Sequence, residues 1–292
     1  MLVCIVGPTG SGKTDIALKL ADFYHASIIN ADAFQIYQDM NIGTAKIEKC
    51  SEYYKKHYLL DIVKPDQSYS VKQYQDDFRR VYKELKNKYQ NIIVCGGTGL
   101  YLKAALYDYH FEEEENGDVS DLDNLTNQEL ADILNKLDPK AFETIHMNNR
   151  KRVIRAIQIA RTHEINKSES IDKQEHKLVI DEEVKFLFLN PDRKTLYESI
   201  NQRVDKMFEL GLVDEVKDLL NKYQLSNTAK AAIGYKEVIS YLNNECSFEE
   251  CKELIKKRSR NYAKRQVTFF KHQLPCQEFT TREELLKEVV NE

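Results

Sequence analysis

The chain has 292 residues, 42% hydrophobic and 31% charged, with a formal net charge of −4. That apolar share builds a core and excludes wholesale disorder, and the length suits two domains or one large α/β domain with an insertion. No apolar run approaches the ~18 residues of a bilayer-crossing helix, and MLVCIVG lacks the basic start and cleavage region of a signal peptide, so a cytoplasmic protein without a membrane partner is expected.

Leu2–Val6 is a short β-branched-rich run that stops at Gly7 and reads as a buried parallel strand. Residues 14–25 follow with apolar side chains at helical spacing: Ile16, Ala17, Leu20, Ala21 and Tyr24. Ser27–Asn30 reads as a second strand, with Asp32 just past its end. A helix is predicted over 71–89, a strand over 91–95 halted by Gly96 and Gly97, and another strand at Val184–Leu189. Helices then cover 194–222, bent near Gly211, and 248–272. Strands alternating with helices predict a parallel α/β sheet, whose ligands bind beyond the carboxyl ends of the strands. Residues 7–14, Asp32 and 96–101 all fall there.

Charge is segregated. Residues 108–132 carry acids and no Lys or Arg, whereas 146–161 carry five basic residues and 255–272 carry seven, neither with an acid. Such segments suit a polyanion partner or simply solvated helix faces; Tyr262, Phe269 and Phe270 within the second favour RNA. The acidic stretch 112–132 is the expected way into an insertion and the polar stretch 162–183 the way back. Six cysteines include no CxxC pair, so zinc spacing is absent, and Cys4 and Cys95 are expected as reduced core residues.

Gly7, Pro8, Thr9, Gly10, Ser11, Gly12, Lys13 and Thr14 fit G-x-x-x-x-G-K-[ST] between a predicted strand and a predicted helix. Glycines let successive N–H groups turn toward an anion, and the helix start adds its dipole. Lys13 would neutralise a phosphate, and the Thr14 hydroxyl can hold Mg²⁺. The next buried strand ends in Gly-Gly-Thr-Gly rather than in the metal-binding acid of an NTPase, which leaves room for a diphosphate that is not ATP.

Segments 7–14, 29–46, 57–71 and 96–109 (GPTGSGKT, INADAFQIYQDMNIGTAK, HYLLDIVKPDQSYSV, GGTGLYLKAALYDY), with NNRKRVIRAIQI, NQRVDKMFELGLVDEV, AIGYKEV and RNYAKRQVTFF further on, resemble the bacterial-type tRNA dimethylallyltransferases, or isopentenyl-tRNA transferases, in order along nearly the whole chain. The resemblance implies a P-loop NTPase-like core over 1–110 and 166–292 and a small helical insertion domain over 111–165 that contacts tRNA, with the RNA running between them. It implies transfer of a dimethylallyl group from dimethylallyl diphosphate to N6 of adenosine 37, next to the anticodon in its loop, with Mg²⁺; a monomer is expected. Site residues follow by match: Asp32, Thr98 and Arg203 are catalytic; residues 7–14 hold the diphosphate; Asp32, Ala33, Phe34, Gln35 and Thr98, with Lys151, Arg152, Val153, Ile154 and Arg155, contact tRNA.

Chemistry agrees with these roles. Adenine N6 becomes acidic as it attacks, so a carboxylate such as Asp32 suits a general base, though an Asp there also caps loops or holds metal through water. Lys13, Thr14, Thr98 and Arg203 would stabilise the leaving diphosphate. Gln35 offers the donor and acceptor that an adenine edge requires, and an anticodon-loop base must be unstacked to be reached. The chain departs from the family pattern at Ala33, where a serine is common, and at Ile47, Tyr58 and Phe269. Three other readings stand beside this one: an adenylate isopentenyltransferase acting on free AMP, ADP or ATP, a P-loop kinase of a small metabolite, and a noncatalytic RNA-binding protein.

Overall fold

A computed structural model describes residues 1–109, 111, 119–162 and 177–290. The chain divides into two compact units, Met1–Leu106 with Ile180–Glu292, and Tyr107–Val179; the sequence had suggested an insertion over 111–165. Among the described residues no helix is long and apolar enough to cross a membrane.

The first unit is built on six parallel strands. These are β1 (Leu2–Val6), β2 (Ser27–Asn30), β3 (His57–Tyr58), β4 (Ile92–Gly96), β5 (Val184–Leu189) and β6 (Gln277–Phe279), in the order β3-β2-β4-β1-β5-β6. Every residue of β1, β2 and β4 is buried, as expected of strands covered on both faces. The chain leaves β1 and passes over β4 to reach β2, so the crevice beyond β1 and β4 is the switch point where such sheets bind ligands. Val6 pairs with Gly96, and Asn30 with Cys95, which levels the three strand ends around that crevice.

One face of the sheet packs on α1 (Lys13–Phe23) through Ile16, Ala17, Leu20 and Ala21. The C-terminal helix α12 (Arg282–Val290) joins this core through Leu285 and Val289. Helix α2 (Val71–Lys86) opens with a capping box between Ser70 and Gln73. It buries Tyr74, whose hydroxyl donates to the Asn30 carbonyl at 2.9 Å and whose ring stacks on Tyr101 at 4.0 Å. Tyr101 lies on α3 (Gly99–Leu106).

A second core gathers residues after β2 with the later helices α7 (Arg193–Glu209), α8 (Leu212–Lys222), α9 (Asn227–Lys230), α10 (Tyr235–Leu242) and α11 (Phe248–Gln273). The bend expected near Gly211 is a break: Gly211 has φ 94° and separates α7 from α8. Cys4 and Cys95 are buried free thiols, as expected.

The second unit has its own small core. Helix α4 (Asn127–Leu137) opens with a Thr126–Glu129 capping box, α5 (Pro139–Thr144) has Asp138 as its cap, and α6 is Arg150–Thr162. They meet through Leu130, Leu134, Ala141, Val153, Ala156 and Ile157. The chain closes the unit where the Asp108 N–H donates to the Lys177 carbonyl at 2.9 Å. Part of the acidic stretch 112–132 is therefore ordered as α4 rather than loop, while 112–118 and most of the polar return, 163–176, lie outside the described residues.

Candidate active site

Three turns meet at the carboxyl edge of the sheet. The first, between β1 and α1, bends through Gly10 and Gly12 at φ 81° and 88°, a conformation that side chains other than glycine resist. Gly12 then caps α1, leaving the first N–H groups of the helix without helical partners. Lys13 Nζ donates to the Pro8 carbonyl at 3.3 Å, folding the ammonium back over its own loop. Desolvation lowers the Lys13 pKa, with Cys95 and Asp32 opposing and Arg203 reinforcing.

The second turn follows β2. Asn30 is buried; its Nδ2 donates to the carbonyls of Leu59 and Asp32, and its Oδ1 accepts the Asp32 N–H. Asp32 Oδ1 in turn accepts from the N–H groups of Phe34 at 2.9 Å and Gln35 at 3.4 Å. The aspartate is thus the hinge of a tight polar turn. The third turn follows β4, where Gly96 lies so close to Ala31 that a Cβ would come within 2.1 Å of its carbonyl oxygen. Thr98 N–H donates to the Ala31 carbonyl, and Thr98 Oγ1 accepts the Ala33 N–H, both at 3.0 Å. The two turns are stitched together beside Asp32.

Arg203 comes in from α7, beside the buried stripe of Leu196, Ile200, Val204 and Met207. Its Nη2 donates to the Thr44 carbonyl at 3.2 Å, which also accepts from Gln35 Nε2 at 3.1 Å. Burial lowers the guanidinium pKa and the Asp32 charge opposes this. Lys13, Thr14, Asp32, Gln35, Thr44 and Arg203 line one polar cavity. Thr9, Asp32, Thr44 and Arg203 also line a second, adjoining cleft whose other walls are largely apolar: Phe34, Ile200, Val204, Met207, Ile233, Ile255 and Tyr262. Burial first, then the Asp32 charge, pushes the Tyr262 hydroxyl up to about 12.

The 41–46 segment that supplies the Thr44 carbonyl is pinned at both ends. Glu215 accepts the N–H groups of Asn41, Ile42 and Gly43 at 3.0, 2.7 and 3.2 Å, and the Tyr235 hydroxyl at 2.6 Å. Lys46, fully buried, donates to Asp61 Oδ1 at 2.6 Å and to the Tyr37 carbonyl. Tyr54 holds the other Asp61 oxygen at 2.6 Å.

A P-loop, an aspartate, a threonine turn and an arginine thus meet at a polar cavity that adjoins an apolar one. The IPP transferase family model matches residues 35–273. The chain belongs to the IPP transferase family. The tRNA dimethylallyltransferase of Macrococcus caseolyticus is 37% identical over 295 residues, covering 100% of this chain and 94% of that protein. The crystal structure of the full-length tRNA isopentenylpyrophosphate transferase from Bacillus halodurans superposes with a TM-score of 0.71 at 33% identity, over 99% of this chain and 94% of that one. A eukaryotic dimethylallyltransferase acting on tRNA gives 0.80 at 25% identity, over 98% and 75%.

Of the residues assigned from the IPP transferase pattern, 7–14, Asp32 to Gln35, Thr98 and Arg203 come together here. Residues 151–155 belong to the other unit, on α6. There Lys151 and Arg152 are exposed, Arg155 is half-buried and bonds Gln158 at 2.7 Å, and Ile154 packs partly into the core. Val153 is 1% exposed: the helical period that exposes Lys151 and Arg152 turns it inward with Ala156 and Ile157, so its side chain is a packing group rather than an RNA contact.

The basic charge of α11 is also partly engaged inside the protein. Lys252 and Lys256 pair with Asp205, Arg258 with Glu237, and Lys271 with Glu278. Lys257, Lys264 and Arg265 remain exposed. Sequence reasoning missed the supporting roles of Lys46, of Glu215 and of Gln266, which accepts the Thr9 N–H and donates to the Gly97 carbonyl. Lys46 stood in the GTAK segment and Gln266 in RNYAKRQVTFF, but nothing local marked either as a side chain that shapes the cleft.

Proposed function

We propose that the protein transfers the dimethylallyl group of dimethylallyl diphosphate to N6 of adenosine 37 in tRNA, releasing diphosphate. The observation that carries this reading is the adjacency of two cavities: an anion cradle of Lys13, Thr14 and Arg203 and an apolar cleft share Thr9, Asp32, Thr44 and Arg203 as walls. A diphosphate ester of a small branched hydrocarbon needs that pairing. The N6–C1 bond forms as the C1–O bond to diphosphate breaks, and the N6 proton passes to Asp32. Lys13, the α1 N-terminus and Arg203 take up the charge that develops on the leaving group. Thr98, fixed by the Ala33 N–H, holds the acceptor side of the cleft.

The donor set fits Mg²⁺. Among the described residues no three acid, His or Cys side chains cluster, but the Thr14 hydroxyl and the Asp32 carboxylate line the same polar cavity. Mg²⁺ is typically held by one or two protein oxygens together with phosphate oxygens and water. Bound there, the ion would offset the diphosphate charge. The unit Tyr107–Val179 would grip the anticodon arm through Lys151 and Arg152, in a protein that works in the cytoplasm, where its tRNA is, and as a monomer.

The test is mass spectrometry of tRNA nucleosides after incubation with dimethylallyl diphosphate and Mg²⁺, beside parallel reactions with AMP, ADP and ATP. A mass increase on tRNA adenosine 37 alone is expected. Product on free nucleotides and none on tRNA would make the protein an adenylate isopentenyltransferase.

A further inference from the structure

The P-loop and the Thr98 turn rise from different strands, β1 and β4. Prenyl transfer demands a fixed separation between them, because one holds the leaving diphosphate and the other borders the attacking amine. A side chain from neither turn bridges them. Gln266, on α11 and 5% exposed, accepts the Thr9 N–H through Oε1 at 2.9 Å. Through Nε2 it donates to the Gly97 carbonyl at 2.8 Å. The fit is close: a Cβ at Gly97 would lie 2.2 Å from Nε2.

The partners dictate the chemistry. Thr9 presents a donor and Gly97 an acceptor, so the bridge must accept at one end and donate at the other, which a carboxamide does. A carboxylate accepts only, and a lysine donates only. Gly97 directly precedes Thr98, whose Oγ1 takes the Ala33 N–H next to Asp32. Three hydrogen bonds, joined by the Gly97–Thr98 and Ala33–Asp32 peptide links, therefore connect the anion cradle through Gln266 and the Thr98 turn to the residue beside the proposed base. Gln266 lines neither cavity of the site, so it acts through the two turns it joins.

We infer that Gln266 is a positioning residue for the transfer: it sets the spacing between the diphosphate cradle and the Thr98–Asp32 side of the cleft. This rests on the transferase reading above. Misplacement of reacting groups by an ångström costs rate more than affinity, so loss of the bridge acts on kcat and leaves tRNA binding alone.

The experiment compares Gln266→Ala and Gln266→Glu with wild type by steady-state kinetics on tRNA and dimethylallyl diphosphate, with thermal melting as a control on folding. Gln266→Ala is expected to lower kcat about tenfold or more, with KM for tRNA within about twofold. In a Thr98→Ala background the same substitution should cost much less, because both act through one turn. Gln266→Glu nearly preserves volume and keeps the acceptor for Thr9, so it tests the bridge even if the alanine variant does not fold. As a carboxylate it cannot donate to Gly97; as a carboxylic acid it can, and burial beside a carbonyl raises its pKa. Its kcat relative to wild type should therefore recover as pH falls. Losses that multiply independently with Thr98→Ala, or a Gln266→Glu ratio that is flat with pH, would overturn the inference while wild type stays active. Wild type that yields no prenylated tRNA would overturn the transferase reading and this proposal with it.

Discussion

Asp32 Oδ1 accepts the Phe34 N–H at 2.9 Å, while Oδ2 has no hydrogen-bond partner among the described residues. One oxygen builds the turn and the other is left for chemistry. The two jobs separate by substitution. Asp32→Asn keeps an acceptor for Phe34 and removes the proposed base; Asp32→Ala removes both. Each should lower kcat by about 10²–10⁴, the usual contribution of general acid–base catalysis, with tRNA affinity nearly unchanged for the asparagine variant. Single-turnover rates and filter binding measure the two quantities, and wild-type turnover in Asp32→Asn would remove Asp32 from the role of base.

Arg203 lines the same polar cavity, with one guanidinium nitrogen donating to the Thr44 carbonyl. Arg203→Ala should lower kcat by about 10²–10³, the scale of losing one preorganised donor at a developing negative charge. Arg203→Lys keeps a charge but not the planar fork and should recover only part of that loss. Full recovery by lysine would reduce the arginine to a point charge.

How far the sequence disclosed this site depends on whether the signal was local. Strands β1, β2 and β5 follow from short apolar runs, and the P-loop from its glycine spacing, because in each the residues that make the feature are neighbours in the chain. The edge strands gave no such sign. β3 is two residues long, and β6 buries only Phe279, so their pairing depends on the rest of the sheet. Helix α3 is apolar nearly all round and carries no amphipathic period to read. Two of the supports of the cleft, Gln266 and Glu215, are polar residues whose partners lie far away. Gln266 and Thr9 are 257 positions apart, and Glu215 reaches Asn41 across 174; no window of sequence contains both halves of either contact.

The Lys46–Asp61 pair is a buried charge pair, with the lysine side chain 0% and the aspartate 7% exposed. Lys46→Met leaves the carboxylate buried with Tyr54 and with only the exposed Lys49 ammonium, 3.8 Å from its other oxygen, as a cation, and should cost up to about 3–5 kcal/mol of stability. Adding Asp61→Asn should restore part of this, since no unpaired charge remains and asparagine tolerates the left-handed backbone of this position, φ 52°. Urea denaturation of the two variants decides; a single variant as stable as wild type would show that the pair contributes nothing.

His57 gives a pH dependence of definite sign. Burial lowers its pKa below the ordinary 6.5, opposed by the hydrogen bond from Nδ1 to the Tyr53 carbonyl at 2.7 Å. As pH falls, the unfolded chain takes up this proton first, so between 6.5 and the lower folded value the unfolded state binds more protons and stability declines. Above 6.5 the contribution is flat. His57→Gln should flatten the stability curve within that window, as measured by melting temperature from pH 7.5 to 5; an unchanged slope would assign the acid sensitivity to other groups.

On α6 neighbouring arginines have opposite duties. Arg150 donates to the carbonyls of Leu122, Asp123 and Leu125 and ties the helix to the turn that precedes α4. Lys151 and Arg152 are exposed. If the second unit binds tRNA phosphates, Lys151→Ala and Arg152→Ala should each weaken binding and reduce the slope of log affinity against log salt by roughly 0.7–0.9, with the melting temperature unchanged. Arg150→Ala should instead lower the melting temperature, because three carbonyls lose a charged donor. Any loss of its affinity would then follow from the damaged fold and track temperature. Equal salt slopes in wild type and Arg152→Ala would remove that residue from the RNA surface.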